Sequence, residues 1–363
     1  RIAVWGVGTN ESNSTVASVD VFSNDIDAEI QERGINIVAW SQSSNSWGRV
    51  TDVDVVDNDV TTRNANDTIA LGGTPGKQGV HEDVTILANR LDGGNGTTKA
   101  GFQIYLPGAQ RATGITIAEN TIRDTASVGA AVRAEDDGVA RSLSFENNSL
   151  STGDSGIRLA AVDDSKIANV AIDGNGFTGY DESALITDSS SSATIDGIQL
   201  RQNTITNNAG GVDVRSAATA DALEIHNNII DDNTDFGVRN DATPVVNATY
   251  NWWGQESGPE AGDCVGNVTC EPALESKPTI GDDDEPATGP PALPGLAAPT
   301  DPDGDGLYED LNGDGEFTVA DVQTMFANLD SESIREYPDA YDFNGDGTVD
   351  ISDVQWLFVE SKD

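Results

Sequence analysis

Nine asparagines pace this chain. Asn24, Asn58, Asn89, Asn120, Asn148, Asn175, Asn203, Asn228 and Asn251 follow one another at steps of 34, 31, 31, 28, 27, 28, 25 and 23 residues. Each closes the same short phrase, apolar-x-apolar-x-x-Asn, as in Val53/Val55/Asn58, Ile115/Ile117/Asn120 and Ile198/Leu200/Asn203. The alternation is that of a strand with one buried face. A second run of this kind follows in several units after a glycine, at Gly34-Ile35, Gly101-Phe102, Gly156-Ile157, Gly211-Val212 and Gly237-Val238. A unit this short cannot bury its own apolar face. The units must therefore stack, each pairing its strands in parallel with those of the next.

Residues 1–275 are accordingly expected to form an all-β right-handed parallel β-helix, a solenoid. Asparagine at its corner has two physical reasons: it tolerates left-handed backbone, and in a stack its amide bonds to the asparagines above and below. The repeats resemble pectate-lyase-like β-helix repeats of the NosD type. Asn251-Trp252-Trp253-Gly254 with Gly258-Pro259 resembles the motif that closes such helices at their C-terminal end. The lengthening of the units toward the N-terminus implies longer loops there, such as 72–79.

Two stretches near the C-terminus share a different pattern. Asp310, Asn312, Asp314 and Asp321 stand at positions 1, 3, 5 and 12 of one loop, and Asp342, Asn344, Asp346 and Asp353 at the same positions of another. Gly315 and Gly347 at position 6 allow a sharp turn, and Glu316 and Thr348 at position 7 offer backbone carbonyls. All-oxygen donor sets at this spacing suit calcium, a hard cation that takes six to eight oxygens at roughly 2.3–2.6 Å. After each loop the apolar residues fall at helical spacing, Val322, Met325, Phe326 and Leu329, then Val354, Leu357 and Phe358, so two short helices are expected to pack together. No clear helix enters either loop. Residues 301–363 resemble a type I dockerin, a small α-helical EF-hand-pair module. The resemblance implies two calcium ions and a cohesin-like partner. Position 12 is Asp rather than the Glu of the EF-hand, and the chain departs from the dockerin family at positions 10 and 11, Val319-Ala320 and Ile351-Ser352, where cellulosomal dockerins usually carry Ser-Thr-type pairs. Asp301, Asp303 and Asp305 begin a further loop that would supply a third ion by sharing the Asp310 and Asn312 region. Between the two domains, residues 276–300 read as a Pro-, Gly- and Asp-rich linker.

The formal charge of −43 excludes nucleic acid as a partner, because phosphate binding requires a basic surface. It points to a halophile, in which carboxylates keep the chain hydrated while salt screens their repulsion. With the two resemblances, the reading is a haloarchaeal extracellular protein. Cys264 and Cys270 are expected to pair as a disulfide in an exported chain. Asn10, Asn13, Asn66, Asn95, Asn147, Asn247 and Asn267 head glycosylation sequons. Together these place the protein outside the cell or at the cell surface. No stretch of eighteen apolar residues spans a membrane, and a start at Arg1 without a signal peptide reads as a mature or processed product.

Catalytic candidates are weak. None of the Asn-Thr-Asp, Gly-His-Gly or Arg-x-Lys strings of polygalacturonase-like members occurs, so no enzyme is expected. His81 is expected in a loop, and His226 beside Glu224 on a solvated outward position. The acidic pairs Asp136-Asp137, Asp163-Asp164 and Asp231-Asp232 follow from composition. Arg133, Arg158 and Arg239 are expected in one outward column with Arg215 nearby, read as a ladder paired to acids or, alternatively, a stripe for an acidic glycan. The uncapped first strand, beginning Arg1-Ile2-Ala3-Val4-Trp5, would leave an open edge for a partner. The leading expectation is a structural or adhesive protein that assembles head-to-tail with copies of itself into a filament or surface layer. The alternative is a carbohydrate-binding or carbohydrate-active β-helix tethered through its dockerin, recognising cell-surface glycans. A third is the tail fibre or spike of a virus of halophiles.

Overall fold

The structure is a computed structural model that describes residues 2–8, 12–29, 33–41, 46–73, 77–94, 96–190, 192–215, 223–280, 293, 299, 307–312, 317–329, 331, 334, 337–344 and 348–360. Two compact units divide the chain, Arg1–Gly281 and Asp282–Asp363.

The first unit is a parallel β-solenoid. Its long strands run from Ser14–Phe22 through Gly48–Val56, Gly79–Leu87, Gln110–Ala118, Val139–Glu146, Lys166–Asp173, Thr194–Arg201, Leu223–His226 and Val246–Asn247 to Val268–Thr269, and pair in that order as a 10-stranded sheet. The other two sides of each coil form one 16-stranded sheet, because Ser149–Val162 and Gly176–Ser189 run continuously round the corner between them.

In-register pairing turns the sequence repeat into columns. Val53, Val84, Ile115, Leu143, Val170 and Ile198 lie opposite one another, as do Val55, Ile86, Ile117, Phe145, Ile172 and Leu200. All are buried. Burying such a side chain contributes about 1.5–3 kcal/mol, so the stack of like on like is the main store of stability.

The corner works differently from the expectation. The left-handed residue is the one before each ladder asparagine: Ser23, Asp57, Ala88, Glu119, Asn147, Gly174, Gln202, Asn227 and Tyr250 have φ between 52 and 67°. That residue makes the bend, and it turns the asparagine inward. Each amide then satisfies itself completely. The Asn148 Oδ1 accepts from the Asn120 backbone N–H and Nδ2, both at 2.9 Å, while its own Nδ2 donates to Ile117 O at 2.7 Å and Asn175 Oδ1 at 2.9 Å. The same bonds repeat from Asn24 to Asn251.

A second correction concerns His81. It lies inside the long strand Gly79–Leu87, opposite Val50 on one side and Ala112 on the other, and is fully buried in an otherwise apolar column. Its Nε2 accepts the Ala39 N–H at 3.1 Å. Burial lowers its pKa to about 4, so the ring is neutral.

Two outcomes follow. Asn148→Ala should destabilise the solenoid by roughly 3 kcal/mol in a thermal melt, because it strands two donors and two acceptors. Asn147→Gly, one residue away on a left-handed exposed site, should leave the melting point in place. For His81 the unfolded chain binds the proton first. Stability should therefore fall by roughly 3 kcal/mol as pH drops from about 6.5 to about 4, a component that His81→Leu removes from the pH profile of the melt.

Candidate functional site

In the second unit, helix α1 (Val319–Asn328) begins at Thr318, whose side chain accepts the Ala320 N–H while Asp321 closes a capping box. Asp321 therefore has two assignments. Its Oδ2 accepts from the Thr318 N–H at 2.8 Å, and its Oδ1 from the Asn312 N–H at 3.1 Å, reaching back across the loop. The second loop repeats this bond for bond. Asp353 accepts from the Asp350 N–H at 2.8 Å and the Asn344 N–H at 3.1 Å, at the start of a helix over Ile351–Glu360. A short helix, α2 (Pro338–Tyr341), does enter the second loop, and the helix that follows is α3 (Ile351–Glu360).

The two helices pack through Val322, Met325, Val354 and Leu357, with Leu311, Ile334, Tyr341 and Phe343 completing the core. Phe326 and Phe358 are not part of it. They are 63% and 42% exposed, as are Val319 and Ile351 at 42% and 46%. The members of each pair stand 32 residues apart, so the duplication places the same apolar pair on the surface twice.

Asp310, Asp321 and Asp353 are fully buried. Buried carboxylates require a positive partner, and the only basic residues in this unit are Arg335 and Lys362, both outside the described residues. Among the described residues no three acidic or histidine side chains converge as a metal cluster, but the all-oxygen chemistry fits calcium, which Asp310, Asn312 and Asp321 would hold in one loop and Asp342, Asn344, Thr348 and Asp353 in the other. Asp314, Glu316 and Asp346, and the further-loop residues Asp301, Asp303 and Asp305, lie outside the described residues.

On the third face of the solenoid, formed by strands Val128–Glu135, Gly210–Val214 and Phe236–Asn240 and the later halves of Ser149–Val162 and Gly176–Ser189, the predicted arginine column divides. Arg158 and Arg239 share a column with Ile186 and Asp213 between them, whereas Arg133 lies one column over, opposite Ala160. All are engaged by acids. Arg239 grips fully buried Asp213 at 2.9 and 2.7 Å, Arg215 bonds Asp213 at 2.6 Å and Glu182 at 2.7 Å, and Arg158 meets Asp188 at 3.2 Å. Arg133 and Tyr105 both donate to Glu135. Burial alone would raise the Glu135 pKa, but those two bonds hold it below the usual range, and burial together with Glu135 pushes Tyr105 up to about 12.

The remaining candidates separate. Asp136, Asp163 and Asp232 have φ of 55, 60 and 52°, which makes them corner residues. Asp231, Asp232, Glu260 and Asp263 line a hollow of about 270 Å³ beside Trp253. Burial, and then repulsion from Glu260 and Asp231, raises the Asp263 pKa against a bond from the Glu260 N–H. Half-buried His226 bonds Thr249 O through Nδ1 at 2.9 Å, and burial depresses its pKa. It is not a solvated outward residue. Cys264 and Cys270 are bonded to each other. Asn13, Asn66, Asn147, Asn247 and Asn267 are exposed, in contrast to the buried ladder, while Asn10 and Asn95 lie outside the described residues. Among the described residues, no helix is long and apolar enough to cross a membrane.

Comparison with known proteins agrees with this geometry. Residues 100–252 match the family described as a right handed beta helix region, and residues 308–358 match the dockerin type I domain. No curated protein matches the chain, and no solved structure does. The chain thus carries a right-handed β-helix region followed by a type I dockerin domain, a module that binds calcium.

Asp353→Ala should weaken calcium binding by roughly 100-fold or more, above the roughly 10–100-fold typical of groups that only support a metal ligand. Calorimetric titration of the full chain measures it. Chelator should abolish the separate unfolding transition of this domain while leaving that of the solenoid.

Proposed function

We propose that this dockerin-bearing β-helix protein is an extracellular, calcium-stabilised carbohydrate-binding protein held on a surface scaffold by its C-terminal module. The observation that carries this reading is the twice-repeated exposed pair, Val319 with Phe326 and Ile351 with Phe358, on a type I dockerin domain. Exposed apolar groups on a small domain favour a protein partner. Dockerins typically bind cohesins, and apolar residues at position 10 select a partner with an apolar counterpart. The solenoid is then the cargo. Its outward columns repeat polar side chains at the roughly 4.8 Å strand spacing over many coils, a surface suited to an extended chain molecule. The net charge of −43 favours salt-rich surroundings, and the exposed sequons favour glycosylation.

A second reading, end-to-end assembly with a second copy, draws on the first coil. Trp5 and Phe22, on strands Ile2–Gly8 and Ser14–Phe22, are 55% and 63% exposed.

Calorimetry of the calcium-loaded protein against a panel of cohesins tests the first reading. Binding lost in Phe326→Asp/Phe358→Asp supports tethering. Absence of any cohesin binding, with polymers in sedimentation that Trp5→Asp disperses, would favour the second.

A further inference from the structure

We propose that the outward face of the long-strand sheet around Arg111, Arg141 and Lys166 binds an anionic saccharide, one that carries carboxylate or sulfate groups. The inference rests on the carbohydrate-binding reading and assigns it a surface and a ligand class.

The register defines the place. In the three successive strands Gln110–Ala118, Val139–Glu146 and Lys166–Asp173, inward positions are taken by Ile115, Leu143 and Val170 and their column mates. The outward positions of the same strands form three columns before a fourth, Ala118, Glu146 and Asp173, closes the face. One reads Arg111, Val139, Lys166, the next Thr113, Arg141, Ala168, and the third Thr116, Ser144, Ala171. Three cations stand in the first two columns, on a chain whose net charge is −43, and the carboxylates of these strands, Glu146 and Asp173, fall together in the fourth, where Glu146 accepts from Ser144. Acids return at its borders. Glu82 one strand before is held by Arg49, and Asp196 one strand after lies 3.7 Å from Lys166.

The arginines here also differ in state from the rest. Every other arginine described in the first unit lies within ion-pair distance of a carboxylate. Arg111 and Arg141 form no ion pair among the described residues, and both are exposed. Arg141 is nonetheless positioned. Its Nε donates to Thr113 Oγ1 at 3.1 Å, which anchors the stem and leaves the terminal nitrogens to face outward groups. A shallow hollow of about 240 Å³ lies beside it, lined by Val139, Arg141, Lys166, Ala168, Asn169 and Asp196.

An unpaired guanidinium fork is a bidentate receptor for a planar oxyanion. Arg111 and Arg141 stand on adjacent strands, and Lys166, shared with Asp196, extends the row to roughly 10 Å at the usual strand spacing, which favours anions repeated along one chain over a single small ion. A peptide is the weaker fit. Both edges of these central strands are already hydrogen-bonded to neighbours, which denies it strand addition, whereas Thr116 and the small apolar Val139 and Ala168 offer a sugar ring hydroxyl and face contacts. The third-face arginines are excluded as this site because acids already occupy them.

The test is binding of the full calcium-loaded chain to immobilised polygalacturonate, a sulfated galactan, neutral dextran and poly-glutamate, at low and high salt. Binding to one or both anionic glycans is expected, weaker at high salt. Arg111→Gln/Arg141→Gln should weaken it roughly tenfold or more, the scale of one lost charge-assisted hydrogen bond, with an unchanged melting point. Arg133→Gln should leave it intact. Which glycan binds distinguishes carboxylate from sulfate. Undiminished binding in the double variant overturns the site. Equal binding of poly-glutamate overturns the saccharide in favour of an acidic protein. Binding of dextran alone overturns this inference but leaves the carbohydrate reading standing, and binding of no glycan removes both.

Discussion

The bond from one asparagine amide to the next is the constraint on which the solenoid depends. Apolar stacking supplies most of the stability, but it does not fix where a coil must turn, since one aliphatic residue slides over another at little cost. The amide does. Its two acceptor bonds and its donor bonds are all directed, and all are buried, so a coil that bends one residue early or late strands several polar groups at once. The left-handed residue before each asparagine makes the bend sterically, and the ladder makes it energetically necessary. The tapering from 34 to 23 residues per coil is accommodated without moving that corner, by shortening what lies beyond it.

The two units solve the problem of excess negative charge by opposite means. On the third face of the solenoid, arginine neutralises carboxylates directly, as where Arg215 and Arg239 converge on Asp213. The C-terminal module has almost no basic residues to do this with, yet buries Asp310, Asp321 and Asp353 completely. Type I dockerin domains bind calcium, and an ion bound there would supply the counter-charge that arginine supplies on the solenoid, so that this domain's fold would depend on its surroundings.

Much of this could be read in the sequence, and the failures are instructive. The asparagine spacing and the Asp-x-Asn-x-Asp-Gly pattern are local and periodic, so the ladder, the inward columns and the dockerin domain were all legible. Arg133 was placed in the wrong column because it stands four residues after Gly129, whereas Arg158 and Arg239 stand two after Gly156 and Gly237, and the strands pair in register from those glycines. His81 looked like a loop residue because it follows glycines and precedes a glutamate, although its partners Val50 and Ala112 make its position inward. Phe326 fits a helical stripe as well as Met325 does, and only the packing separates a core residue from an exposed one. Arg111 and Arg141 carried no signal at all, since what distinguishes them is the lack of an acid across a strand pair, a property of neighbours remote in sequence.

The ladder is also polar in a sense that bears on how such a molecule can change size. Each amide offers its oxygen toward the coil before it and its nitrogen toward the coil after it, from Asn24 to Asn251. A whole coil inserted anywhere would find both partners waiting, whereas a fraction of a coil would find neither. Length is therefore quantised. Duplication or loss of complete repeats is the path of least resistance for this sequence, and the number of coils can drift while every corner stays the same.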